Sequence, residues 1–248
     1  MQITPPVVNC CSHTTRRGFL KTAGIATAAA LLSAGPLAQI AYAAALTKAQ
    51  RDKLTPDEII AMMKRGNERF RSGKGTKQDF LAQQRASAKG QYPAAVILSC
   101  IDSRASAETI MDLGIGDVFN ARVAGNIAND DILGSMEFAC AAAGAKVVLV
   151  MGHTACGAIK GAIDDVQLGN LTGLLARIQP AVKATAYQGD RSAKNDAFVD
   201  AVARRNVELT MENIRKGSSV LSDLKAKGTI NIVGAMYDIA SAKVDFFS

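Results

Sequence analysis

The chain has 248 residues, 48% of them hydrophobic, which suits one medium-sized domain plus an extension and supplies enough apolar surface for a sizeable core. Its 29 basic and 22 acidic residues give a formal charge of +7; only Arg16, Arg17 and Lys21 among them precede position 44, so 26 against 22 remain beyond it, a charge of +4. So mild a bias, dispersed among acids and not interleaved with aromatics, excludes an extended nucleic-acid surface and points to a small-molecule substrate.

In chain order, the first segment reads as an export signal. Thr15-Arg16-Arg17-Gly18-Phe19-Leu20-Lys21 is a twin-arginine core, followed by a weakly apolar run over 22–32 and a small-residue site at Ala41-Tyr42-Ala43. Ser33, Gly35, Pro36 and Gln39 break the run well short of the roughly 20 apolar residues of a spanning helix, which argues against a retained anchor. The expectation is a twin-arginine signal peptide over 1–43, cleaved after Ala43, and a single domain over 44–248 delivered to the periplasm or another exported location by the twin-arginine translocase. Of five cysteines, Cys10 and Cys11 leave with the signal, and Cys100, Cys140 and Cys156 are too few and too irregular for a disulfide framework. Bare thiols are a liability in an oxidising compartment, so at least two of them should be occupied, and a metal taken up before export would protect them.

Thr55-Pro56-Asp57-Glu58 predicts a helix start, with a hydroxyl cap, proline at the first helical position and acids at the positive dipole end. The helix should run to about Arg71, end at Ser72-Gly73, and pack through Ile59, Ile60, Met63 and Phe70. A polar helical arm continues through Phe80-Leu81 to Lys89-Gly90. Beyond it, short β-type runs over 94–99, 118–123, 146–151 and 229–235 alternate with helical patterns over 106–112, 132–143, 157–166, 171–186 and 195–216. That alternation predicts an α/β fold with a central parallel sheet flanked by helices, and 244–247 could add a last edge strand.

Cys100 follows the first strand directly, and His153 with Cys156 follows the third. In an open parallel sheet, residues just past the carboxyl ends of neighbouring strands converge on one crevice. Two thiolates and one imidazole suit zinc in tetrahedral geometry with the fourth position left open for an activated water. His153 is also the only histidine outside the signal, so a cysteine hydrolase built on it would leave Cys156 without a role. In Cys100-Ile101-Asp102-Ser103-Arg104 the guanidinium could grip the carboxylate and hold it ionised, or Asp102 could simply cap a helix beside an ion pair; spacing does not choose between these.

Cys-x-Asp-Ser-Arg followed by His-x-x-Cys-Gly, here 100–104 and 153–157, resembles the signature of the β-class carbonic anhydrases. The likeness extends through Gly116-Asp117, Arg122-Val123-Ala124-Gly125-Asn126, Ile132-Leu133-Gly134-Ser135 and Gly234-Ala235-Met236-Tyr237-Asp238, so that 44–248 reads as one catalytic domain of that family. The resemblance implies four parallel strands in the order 2-1-3-4, one zinc ion per chain on Cys100, His153 and Cys156, and a homodimer or dimer of dimers wrapped by the N-terminal helices. It implies reversible hydration of carbon dioxide to bicarbonate by zinc hydroxide. Asp102 would accept a hydrogen bond from that hydroxide, Arg104 would hold the carboxylate, and the Gly157 N–H would help bind bicarbonate. In some members of the family the aspartate swings onto zinc and closes the site. Gly114 stands about where plant-type members carry a substrate-binding glutamine, and the chain has no tryptophan for the inhibitory bicarbonate site of some bacterial members.

Elsewhere, Cys140 in an alanine-rich helix reads as a buried apolar residue, Gly125-Asn126 as a loop lining the cleft, Asp164-Asp165 as a solvated helix end, and the basic residues over 204–227 as an exposed helical face. Three other functions compete with carbon dioxide hydration: hydrolysis of carbon disulfide or carbonyl sulfide on the same site, a non-catalytic zinc protein, and a thiol redox protein with a Cys100–Cys156 disulfide.

Overall fold

The computed structural model describes residues 45–248; the expected signal peptide and its cleavage site lie outside the described residues. Thr47 caps α1 (Lys48–Lys53), a helix the sequence reading passed over, and Thr55 caps α2 (Pro56–Arg71). In both, the threonine hydroxyl accepts the N–H of the third helical residue, whose side chain accepts the N–H of the threonine. Helix α2 buries Ile59 and Met63, with Ile60 and Phe70 half-buried beside them, and α3 (Phe80–Ser87) forms the arm.

The sheet contains β1 (Ala95–Ser99), β2 (Val118–Arg122), β3 (Val147–His153), β4 (Asn231–Tyr237) and β5 (Val244–Phe247) in the order β2-β1-β3-β4-β5. The first four are parallel and β5 is the antiparallel edge strand, as expected. Connections run through α4 (Ala107–Ile110), α5 (Asp130–Glu137), α6 (Gly157–Ile163), α7 (Gly169–Ala176), α8 (Gln179–Ala184), α9 (Asp196–Gly217) and α10 (Ser219–Ala226). Every residue of β1 and β3 is buried, because both faces of a parallel sheet are covered. Ile97 and Leu149 pack with Ile59, Met63 and Ile110 on one face; Val96, Leu98, Val148 and Val150 pack with Met136, Val207, Met211 and Leu221 on the other. Among the described residues no helix is long and apolar enough to cross a membrane.

Several boundaries differ from the sequence pattern for physical reasons. Strands β3 and β4 run two residues further than their apolar runs, since Gly152 pairs with Met236 and His153 with Tyr237. Gly152 is needed there: a Cβ would fall 2.7 Å from Val207 and 2.9 Å from the Met236 sulfur. The single helix expected over 171–186 divides into α7 and α8, with Pro180 restarting the second in its first turn. The helix expected over 132–143 starts earlier, where the Asn129 side chain caps Ile132 N–H, and ends in a π turn at Phe138–Ala142. Helix α10 lies within the basic stretch and was not separated from α9; Ser218 caps it, accepting from Leu221 N–H at 3.1 Å while donating to Glu137 at 2.6 Å.

One buried acid sets a pH dependence. Asp117 accepts the Gly114 N–H at 2.7 Å, and burial pushes its carboxyl up from 3.8 to about 6. A carboxyl raised in the folded state contributes stability that is full below its unfolded pKa and lost as pH rises through the folded value. From pH 4 to pH 7 the parent should therefore lose about 2 kcal/mol relative to Asp117→Asn, which keeps an acceptor for Gly114 without a charge. Urea unfolding at both pH values checks this; parallel profiles for parent and variant would show that the carboxylate is well solvated.

Candidate metal centre

Cys100 is the first residue past β1, His153 ends the neighbouring strand β3, and Cys156 sits at the N-cap of α6. The parallel register that sets Ser99 against Met151 brings the two strand ends together. The three ligand atoms lie within 4.8 Å of one another, all three residues are buried, and they form the one group of this kind found among the described residues. The two sulfurs are 4.0 Å apart, close to the roughly 3.8 Å edge of a tetrahedron with zinc–sulfur bonds of about 2.3 Å. His153 Nδ1 is 2.8 Å from the Thr154 carbonyl, which fixes the proton there and leaves Nε2 as a bare acceptor. That Nε2 is buried with no hydrogen-bond partner, so the donor set fits a metal such as zinc.

The electrostatics favour an ionised sulfur. The hydrogen bond from Cys156 brings the Cys100 thiol well below the ordinary thiol range, against the opposing effect of burial, with help from His153 and the Gly125 N–H. Cys156, keeping its proton and sharing it with Cys100 as a hydrogen-bond donor, is pushed well above the ordinary thiol range, and burial adds to this. Cys140, by contrast, is a free thiol in the π turn, raised to about 12 by burial alone, and takes no part in the cluster.

Asp102 and Arg104 stand beside the ligands. Arg104 grips the carboxylate with both Nε (3.0 Å to Oδ1) and Nη2 (2.8 Å to Oδ2), and its own N–H donates to Oδ1 at 2.9 Å. That guanidinium holds the Asp102 carboxyl well below the usual carboxylate range despite partial burial. Asp102 Oδ2 lies 3.8 Å from His153 Nε2. The helix-cap alternative is corrected here: α4 begins only at Ala107 after Ser106, and Asp102 closes the turn over Arg104. Cys100, Asp102 and Gly157 line a cavity of about 260 Å³ whose other walls include Ile101, Ala158 and Leu175. Gly114 is absent from this lining and belongs instead to a separate cavity with Gln78 and Asn120.

Three further groups support the ligands, and of these only Gly125 was expected at the cleft. Arg122, noted only as part of a motif, donates to the carbonyls of Cys100 (3.0 Å) and Asp102 (2.6 Å). Asp200 on α9 accepts the N–H of Ala155 at 3.0 Å, and Ala155 holds a left-handed φ of 53° between His153 and Cys156. Gly125, at φ 67°, donates its N–H to Cys100 Sγ at 3.3 Å, so the loop expected to line the cleft touches a ligand atom.

Comparison with known proteins agrees with this geometry. A family model described as carbonic anhydrase matches residues 95–244. Carbonic anhydrase 2 of Mycobacterium tuberculosis is 36% identical over 179 residues, covering 71% of this chain and 86% of that protein. A carbonic anhydrase of Mycolicibacterium smegmatis is 31% identical over 188 residues, covering 75% and 90%. Among solved structures, a tetrameric β-carbonic anhydrase of Sordaria macrospora superimposes with a TM-score of 0.60 at 26% identity, covering 65% of this chain and 83% of that one. A β-carbonic anhydrase of Aspergillus fumigatus gives 0.58 at 27%, covering 66% and 79%.

Proposed function

This chain belongs to the β-class of the carbonic anhydrases, lyases by reaction type, and from that premise we propose how its residues divide the work of interconverting carbon dioxide and bicarbonate. Cys100, His153 and Cys156 would hold one zinc ion per chain. The observation that carries this reading is the bare, buried imidazole nitrogen within 4.8 Å of two thiols, beside a carboxylate kept ionised. Zinc bound there with an open fourth position would supply a water acidified to about neutrality as the nucleophile. A fully ionised carboxylate can only accept hydrogen bonds, so Asp102 would orient the nucleophile by accepting its proton-bearing side, leaving the lone pair free for the substrate. Arg104 keeps Asp102 from rotating, because its fork occupies both carboxylate oxygens. The Gly157 N–H donates to an oxygen of bicarbonate, and the apolar side of the cavity keeps bulk water from competing. Three protein donors, where closed structural zinc sites carry four, favour a catalytic site over a merely structural one. The tetrameric relative supports a homodimer or dimer of dimers for this chain, read out by light scattering; a monomeric mass would remove that part of the proposal.

The test is turnover of carbon dioxide, carbonyl sulfide and carbon disulfide by the purified zinc-loaded protein. Carbon dioxide should be turned over fastest, with protons released as bicarbonate forms. Faster release of hydrogen sulfide from either sulfur compound would make the chain a hydrolase on the same site.

A further inference from the structure

Helix α9 carries a buried amide that reaches towards the ligands from below the sheet ends. Asn206 is 3% exposed, and its Nδ2 donates to the Gly125 carbonyl at 2.7 Å. Gly125 is held in a left-handed conformation, where a Cβ would fall 2.5 Å from Ile178. Its two flanking peptide planes are thus fixed at both ends, one by Asn206 and the other by the N–H donated to Cys100 Sγ. Arg122 and Asp200 brace backbone near the ligands, but the Gly125 link ends on a donor atom itself.

Resting on the reading that Cys100 binds the metal, we infer that Asn206 is a positioning residue of the metal centre: it holds Gly125 so that the Gly125 N–H draws charge from the Cys100 sulfur. A hydrogen bond to a thiolate lowers the energy of its lone pairs and so tempers donation to the metal, while fixing the sulfur's position. Hydrogen-bond partners of metal ligands typically matter by about 10–100-fold in affinity, and Asn206, one bond further out, belongs in that range because it alone pins the Gly125 carbonyl.

The experiment replaces zinc by cobalt(II), whose sulfur-to-metal charge-transfer band reports on the thiolate. Asn206→Leu keeps the branched skeleton of the side chain without the amide. Its band should move to lower energy than the parent's, and cobalt release to a chelator should be about 10–100-fold faster. A generally loosened fold would lower the melting temperature without moving the band. Should the variant fail to fold, the parent loaded with an NMR-active cadmium isotope decides: its Gly125 amide proton should show coupling to the metal through the N–H···S bond. An unshifted band with unchanged release, or no coupling at Gly125, overturns the inference. A parent that takes up no cobalt fails at the earlier step, the assignment of the ligands.

Discussion

Cys156→Ala should deprive the protein of its zinc and of carbon dioxide hydration together. Removing one of three buried donors leaves one thiol and one imidazole on two different strands, too few for a stable site. The same loss is expected for Cys100→Ala and His153→Ala. The sheet register and the two larger apolar clusters do not involve these side chains. Cys100 and Cys156 join a third cluster with Ile159, Ile178 and Phe198, but truncation to alanine leaves its larger members in place. The variants should therefore remain folded by circular dichroism while metal analysis after gel filtration finds zinc near zero in place of about one per chain. Full zinc occupancy in any of the three would remove that residue from the site.

Asp102→Ala should keep its zinc and lose about 10²- to 10⁴-fold in hydration rate, the range typical of groups that orient or move a proton. The carboxylate lies beside the ligand set without belonging to it, 3.8 Å from the His153 nitrogen. Arg104→Ala should do comparable harm by a different route. Without the two bonds at 3.0 and 2.8 Å, Asp102 is free to rotate into the fourth coordination position. X-ray absorption separates the two, since a carboxylate oxygen should join the metal shell only in the Arg104 variant. Near-parental hydration by zinc-loaded Asp102→Ala would sink the orienting role and leave the residue as the cap of a turn.

The ligand set was legible because each ligand follows a short apolar run, and a parallel sheet gathers such positions at one edge. The strand order came from the family resemblance, and the β1–β3 pairing bears it out. What escaped was whatever depended on distant packing. Asn206 and Gly125 are 81 positions apart, and nothing in the pattern of α9 separates Asn206 from an ordinary helical polar residue until the Gly125 carbonyl is seen against it. Arg122 reads as one more surface charge at a strand end until its bonds to two carbonyls are seen. His153 illustrates the boundary problem: the apolar run stops at Met151, but pairing with β4 carries the strand onto the ligand. Local residues also left Asp102 undecided between cap and clamp, and only the late start of α4 at Ala107 resolves it.

The placement of the donors across β1 and β3 has a consequence for the order of events during maturation. Cys100 and Cys156 are 56 positions apart and meet only after two parallel strands and the crossover between them are in place. In the unfolded chain only the His153–Cys156 pair is local, a weak bidentate grip at best. Such non-local pairing is slow, so the polypeptide must find its topology before these donors could retain an ion. An ion captured there would become a staple across a long loop, and chelators should then act on the finished protein chiefly by waiting for that staple to open.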